Sequence, residues 1–222
     1  MTTPGEMVKC AAAALGLPEM TLTQIDRELV TNGLRSKGGR GRSAAKMTTG
    51  DVCNLLIGAT CGGLVKDVAK NVGLYSSLRC NEVKRWALEA FPLPSVLALP
   101  EDHTFGQALQ AFMDSTVSGE LLEAENAIAP TSYGDGAVKI RHGIALEFRI
   151  VGPLPQAMIS VLLPGQGREE RSYSTLPRAL GDLTAWSKDM ERKGYGDLAR
   201  MNWFTARTLR EMAKFLNGGV ND

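Results

Sequence analysis

Apolar residues recur at helical spacing through the first thirty positions of the chain, with one interruption. Residues 6–15 are rich in alanine and contain no helix breaker, so they predict a short helix. Glycine and proline at 16–18 interrupt the pattern. A second helix is then predicted, with Thr21 as its N-cap and with Asn32 and Gly33 at its end. Its apolar side consists of Leu22, Ile25, Leu29 and Val30.

Further helices are predicted by the same spacing up to about residue 125. They lie at 47–60, 64–73, 81–91 and about 104–125. Thr48 or Thr49 suits the start of the first of these, and Asp51 suits the positive N-terminal end of its dipole. The prolines at 92, 94 and 100 cannot continue a helix. We therefore predict one domain over residues 1–91 and a second over residues 92–222.

From residue 126 the pattern changes to β-branched and aliphatic residues that partly alternate with polar ones. Strands are predicted within 137–152, 157–165 and 170–176, and helices return at 176–193 and 198–219. The expected fold class is therefore α+β and mainly helical. It comprises an N-terminal helix-turn-helix, central helices, and a C-terminal antiparallel sheet with flanking helices.

The charge of the chain is concentrated near its start, although the net charge of all 222 residues is only +1. The first 46 residues carry seven Lys or Arg against four acids, whereas the remainder carries 18 against 20. A local positive field on a neutral body is typical of a small nucleic-acid-binding head. The chain has no apolar run of membrane-helix length and no signal-peptide pattern, so we expect a cytoplasmic protein and no membrane contact.

Candidate metal and catalytic residues do not form a recognisable pattern. The four cysteines contain no C-x-x-C pair and lie far from both histidines, so reduced thiols buried on helices are expected and a zinc site is not. His103, His142 and Tyr173 each lack a sequence partner that would indicate a nucleophile or a metal ligand. We expect no enzyme activity, no catalytic residue and no cofactor.

The first two predicted helices meet the requirements of a DNA-binding helix-turn-helix position by position. Ala12 is small where the helices cross, and four residues later Gly16 supplies the positive φ of the turn. The polar side of the second helix consists of Thr21, Thr23, Gln24, Arg27 and Glu28. Glutamine can pair with adenine, and arginine with guanine or phosphate. The candidate reading residues are therefore Thr21, Thr23, Gln24 and Arg27.

A basic, glycine-rich segment, "GLRSKGGRGRSAAK" at 33–46, follows this helix and contains no acidic residue. Its cations are Arg35, Lys37, Arg40, Arg42 and Lys46. Cations spread among glycines can adapt to a phosphate backbone or enter a minor groove. A nucleotide-binding P-loop is excluded, because no strand precedes the segment and the Lys-Ser/Thr ending is missing.

The stretch "AAAALGLPEMTLTQIDREL" at 11–29 resembles the helix-turn-helix of phage and bacterial transcriptional regulators. The resemblance covers about the first 60 residues. It implies a sequence-specific duplex DNA-binding protein, expected to act as a homodimer because one module makes few contacts. In winged regulators a basic hairpin follows the reading helix. The segment at 33–46 lacks the alternating apolar residues of that hairpin. The sequence therefore leaves open whether the segment forms a wing or a flexible arm.

Two other functions agree with the same residues. Small-terminase DNA-packaging proteins of phages also join an N-terminal helix-turn-helix to oligomerising helices, and ring-sized oligomers would favour that alternative. The other is a protein-interaction or inhibitor module without DNA binding. In each case residues 92–222 would supply self-association, an effector site or a surface for a protein partner.

Replacing Arg40 and Arg42 together with alanine is expected to weaken binding to all duplex sequences and to flatten its dependence on salt. The reason is that phosphate contacts release counterions and carry no sequence information. Affinity measured by fluorescence anisotropy over a range of salt concentrations tests this expectation. An unchanged affinity would exclude these cations from the interface.

Overall fold

A computed structural model describes residues 2–37, 46–81, 93–128, 131–133, 138–140, 144–163, 167–175, 183–193 and 200–218. The fold is α+β and mainly helical, as predicted. The helices are α1 (Pro4–Leu15), α2 (Glu19–Thr31), α3 (Thr49–Thr60), α4 (Val68–Ser76), α5 (Pro94–Leu97), α6 (Phe105–Ser118), α7 (Glu120–Ala127), α8 (Leu183–Lys193) and α9 (Ala206–Leu216). The strands are β1 (Arg79–Cys80), β2 (Thr131–Tyr133), β3 (Val138–Ile140), β4 (Ala145–Gly152), β5 (Gln156–Leu163), β6 (Gly167–Ser174) and β7 (Arg200–Thr205).

Threonine capping boxes define where three of the helices begin. Thr3, Thr48 and Thr104 each accept a hydrogen bond from the third residue of α1, α3 and α6, whose side chain accepts one in return. Such reciprocal bonds satisfy backbone donors that a helix start leaves free. Thr48, one of the two threonines predicted to start α3, is confirmed as its N-cap.

Helix α2 begins three residues earlier than predicted, so the assignment of Thr21 as its N-cap is wrong. Pro18 is the N-cap, and its carbonyl accepts the N–H groups of Thr21 and Leu22 at 3.0 and 3.3 Å. Proline lacks an N–H but its carbonyl can still accept the first helical bonds, which extends the helix back to Glu19. The predicted end at Asn32 and Gly33 is confirmed, with Gly33 at φ 73°.

Five strands form an antiparallel sheet in the order β1-β6-β5-β4-β7, and β2 pairs with β3 in a separate ribbon. Alternate residues of the large sheet face the helices and are buried, among them Phe148, Ile159 and Phe204. The Phe148 ring stacks on Phe204 at a centroid distance of 5.0 Å and meets Phe112 of α6 edge-on at 5.6 Å. The inner face of the sheet therefore packs against α6.

Strand β7 corrects the prediction of a single helix over 198–219. Residues 200–205 pair with β4, placing Phe204 opposite Phe148 and Trp203 opposite Arg149. Met201 and Phe204 are spaced as on a helix but lie on opposite faces of the strand, so periodicity alone could not separate the two structures. Helix α9 begins after Thr205, whose hydroxyl caps it.

Other helix boundaries also differ from the predictions. The stretch predicted at 104–125 forms two helices, because Gly119 adopts φ 92° between α6 and α7. The one predicted at 64–73 is a 3-10 turn at Val65–Asp67 followed by α4. The helix predicted at 81–91 lies almost entirely outside the described residues.

The described hydrophobic residues from both sides of residue 91 belong to one continuous core. Helix α1 packs against α9, and α3 packs against α6. The Cys10 thiol donates to the Glu211 carbonyl at 3.5 Å across the first of these contacts. The predicted boundary after residue 91 lies in a stretch that the structure does not describe.

Gly106, at the start of α6, allows a close approach to the end of α4. A Cβ there would lie 2.9 Å from both the backbone oxygen and the Cβ of Ser76. We expect Gly106→Ala to lower the free energy of unfolding by about 1–3 kcal/mol, because the two helix ends must move apart. Urea unfolding measures the change.

The matched control is Gly73→Ala on α4, where an added Cβ would have no atom within 4 Å. This change should raise the free energy of unfolding by about 0.5–1 kcal/mol, because alanine loses less backbone entropy in a helix. Equal effects of the two replacements on the free energy of unfolding would show that the contact with Ser76 does not restrict the residue at position 106.

Candidate nucleic-acid interface

Helices α1 and α2 are joined by the left-handed turn that the sequence predicts. Gly16 has φ 68° and ψ 30°, and the Leu17 N–H donates to the Ala12 carbonyl at 3.0 Å. Ala12 is buried, as expected of the small residue at the helix crossing. Leu15 and Leu17 are partly buried against the core.

The side of α2 opposite the core presents Gln24 and Arg27, and both residues are exposed. Leu22, Ile25 and Leu29 are buried on the other side. Thr21 and Thr23 lie on the flanks and are partly exposed, and the Thr23 hydroxyl donates to the Glu19 carbonyl at 2.9 Å.

Met20 was not among the predicted reading residues, although its side chain is 67% exposed. It precedes Gln24 by four residues and Arg27 by seven, so the three side chains share one helical face. That spacing was present in the sequence and could have identified Met20. Its apolar side chain suits contact with a thymine methyl group.

Arg35 has an acidic partner, contrary to the expectation from the sequence. Its guanidinium donates to both carboxylate oxygens of Asp26, from Nε at 2.8 Å and from Nη2 at 2.9 Å. Nη1 donates to the Ser36 carbonyl at 2.7 Å. The two paired side chains are only 10% and 11% exposed. Arg35 thus joins the start of the basic segment to the buried side of α2.

The carboxylate of Asp51, on the first turn of α3, binds Ser36 in the basic segment and Thr48, two residues beyond the end of that segment. One oxygen accepts from the Ser36 N–H at 2.7 Å, and the other accepts from the Thr48 N–H at 2.9 Å and its hydroxyl at 2.8 Å. On the Ser36 side, Asn54 also donates to the Leu34 carbonyl at 2.7 Å. Ser36 and Thr48, one on each side of Lys37 and Lys46 in the sequence, therefore bind the same carboxylate.

Burial acts to raise the pKa of Asp51, but the hydrogen bonds from Ser36 and Thr48 outweigh it and hold the pKa below its usual value. Hydrogen bonds donated to a carboxylate favour its charged form. Asp51 is accordingly an anion, and its carboxylate oxygens accept hydrogen bonds from within the fold.

The remaining predicted site residues divide between described and undescribed positions. Lys37 and Lys46 are exposed, each close in sequence to a residue bound by Asp51. Arg40 and Arg42 lie outside the described residues. The described candidate residues that are exposed are thus Gln24 and Arg27 on α2, and Lys37 and Lys46 in the basic segment.

His103 and Tyr173, considered separately in the sequence, meet in the core. His103 Nδ1 lies 2.7 Å from the Pro100 carbonyl, which can only accept, so Nδ1 carries the proton. Nε2 then accepts from the Tyr173 hydroxyl at 2.9 Å. Burial lowers the pKa of His103 and raises that of Tyr173. No sequence signal connects residues 70 positions apart, and both side chains are buried.

The four cysteines are free thiols. Cys53 and Cys80 are buried while Cys10 and Cys61 are half-buried. Two of the four are not on helices as expected, since Cys80 lies on β1 and Cys61 follows the last residue of α3. Burial raises the pKa of the Cys61 thiol to about 11. Among the residues that the structure describes, His, Cys, Asp and Glu form no group of three that could hold a metal ion.

Comparisons of the chain with protein-family models, curated proteins and solved structures found no match. Within the described ranges, each helix is too short or too polar to cross a bilayer.

Replacing Asp51 with asparagine is expected to lower the free energy of unfolding by about 1–3 kcal/mol at neutral pH, because one amide oxygen cannot accept all three hydrogen bonds. The pKa of Asp51 is lowered in the folded state. Its contribution is therefore complete above the unfolded pKa of about 3.9 and is lost as pH falls through the folded pKa. Urea unfolding of both proteins between pH 2.5 and 7 measures the difference.

The difference between parent and variant should thus stay constant above about pH 4.5 and shrink below about pH 3.9. A difference independent of pH would contradict the assignment of an ionised Asp51 carboxylate as acceptor.

Proposed function

We propose that the protein binds duplex DNA in a sequence-specific manner, with α2 as the reading helix, and acts as a phage-related transcriptional regulator. The observation that carries this proposal is the exposed face of α2, where Met20, Gln24 and Arg27 lie after the left-handed turn at Gly16. These three side chain types can contact thymine, adenine and guanine in a major groove.

The charges around α2 agree with this orientation toward DNA. Asp26, buried on the inner side, is neutralised by Arg35. The exposed cations Lys37 and Lys46 come from the segment held at Asp51, and the sequence adds Arg40 and Arg42 between them. A reading helix followed in the sequence by several cations would combine base contacts with phosphate contacts, which together give specificity and affinity.

The packaging alternative differs from the regulator in its assembly. A regulator of this kind is expected to be a homodimer, because two half-sites double the number of base contacts. A terminase-like protein is expected to form a ring. The mass of the purified protein in solution, measured by light scattering, distinguishes the two.

A protein-interaction function is supported by a different part of the molecule. The outer face of the sheet exposes Trp203 to 60%, Met201 to 49% and Leu162 to 46%. Beside them Arg149 pairs with Glu147, and Arg168 with Glu170 at 2.9 Å, so these four charges sum to zero. An exposed tryptophan beside charges that cancel in pairs suits a protein partner better than a nucleic acid. This surface would serve the regulator as its partner-binding side.

Selection of fragments from a pool of random duplex DNA, followed by sequencing, tests the proposal directly. We expect a preferred sequence. Gln24→Ala should then reduce affinity for it by about 5- to 150-fold, the equivalent of about 1–3 kcal/mol for a lost base contact, with little change for random DNA. Fluorescence anisotropy with both DNAs provides the measurement.

Gln110→Ala is the matched control, because Gln110 is an exposed glutamine on α6. It should leave both affinities unchanged. Equal losses on selected and random DNA from Gln24→Ala would refute the reading role of α2, and a parent protein that binds no duplex even at low salt would refute DNA binding altogether.

A further inference from the structure

We propose that Asp26, Arg35 and Asp51 are positioning residues for DNA binding, which hold the described ends of the basic segment against α2 and α3. The inference rests on the proposed function. It reverses the role that the sequence suggested for Arg35, which becomes an internal support and not a phosphate contact.

The geometry of Arg35 leaves little of it for DNA. Both oxygens of Asp26 accept from the guanidinium, and the Ser36 carbonyl accepts from a third nitrogen. Both side chains of the pair are about nine-tenths buried. A planar, two-point pair of this kind defines one orientation of the side chain, which a lysine could not reproduce. The pair therefore holds the backbone at Arg35, next to Ser36, against the buried side of α2.

Asp51 adds the second point of attachment. It binds the Ser36 N–H and the Thr48 N–H through different oxygens of one carboxylate, so the described residues close to Lys37 and Lys46 are held at the start of α3. Ordering a backbone costs entropy, and at these residues the cost is met during folding. Without these bonds it would be met on binding DNA, and the apparent affinity would fall by the fraction of molecules in the competent arrangement.

A purely electrostatic role and a positioning role of Asp26 predict opposite changes in DNA affinity when the acid is replaced by a neutral residue. Removing a negative charge close to DNA raises affinity if only the field matters. Replacing Asp26 with asparagine would also release Arg35, adding a cation for phosphate. If the pair positions the segment, the same replacement lowers affinity although the protein gains one positive charge.

The experiment compares the affinities of Asp26→Asn and Asp51→Asn with that of the parent for one duplex over a range of salt concentrations. We expect each to lose about fivefold or more in affinity. The salt slope should stay close to that of the parent, because Lys37, Lys46 and the other cations are retained. Thermal unfolding and circular dichroism establish the temperature at which each variant is folded.

Glu28→Gln is the matched control, since Glu28 also lies on α2 but on its partly exposed side. It removes the same charge and should raise affinity slightly, by up to about twofold. An increase for Asp26→Asn like that for Glu28→Gln would overturn the inference and return Arg35 to the DNA interface.

Arg35→Lys provides a second test that preserves charge and is gentler to the fold. A phosphate contact would survive this change nearly intact, whereas a positioning pair loses its two-point geometry and affinity falls. An affinity equal to that of the parent overturns the inference even if Asp26→Asn does not fold. A parent that does not bind DNA refutes the proposed function instead, so the two failures are distinct.

Discussion

Helix α3 lies at the centre of the described core, and its neighbours are arranged by the need to cover it. Val52, Leu55, Leu56 and Ile57 are almost completely buried, and α1, α2, α4 and α6 pack around them. At Gly58 two neighbours come close to α3, because a Cβ there would lie 3.1 Å from the side chains of both Ile25 and Val68. A helix that is apolar on nearly every side cannot remain stable at a surface. The fold therefore surrounds α3.

This burial explains the arrangement at Asp51. At the start of α3 Thr48 is exposed, but Asp51 is buried, and the backbone N–H groups that a helix start leaves free need partners there. Asp51 and Thr48 satisfy one another, and the same carboxylate has a second oxygen for Ser36. The same carboxylate consequently caps the central helix and holds Ser36 of the basic segment.

The continuous core also connects the N-terminal helices to the sheet. Helix α6 packs against α3 on one side, and its Phe112 meets the Phe148 ring of β4 on the other. Helix α9 follows β7 directly and returns to α1. The exposed face of α2 and the outer face of the sheet are thus carried by a common packed interior. A partner bound at the sheet and DNA bound at α2 would therefore contact elements that pack on the same core.

Local signals determined much of this protein. The spacing of apolar residues located α1, α2 and α3, Gly16 and Thr48 marked a turn and a cap, and alternation marked β4, because each depends on residues close in sequence. Tertiary structure alone decided four other features: the pairing of Arg35 with Asp26, the bond from Ser36 to Asp51, the contact of His103 with Tyr173, and the strand at 200–205. In each of these a side chain or strand finds a partner distant along the chain or hidden on a buried face, and such contacts are selected by burial, for which local spacing carries no information.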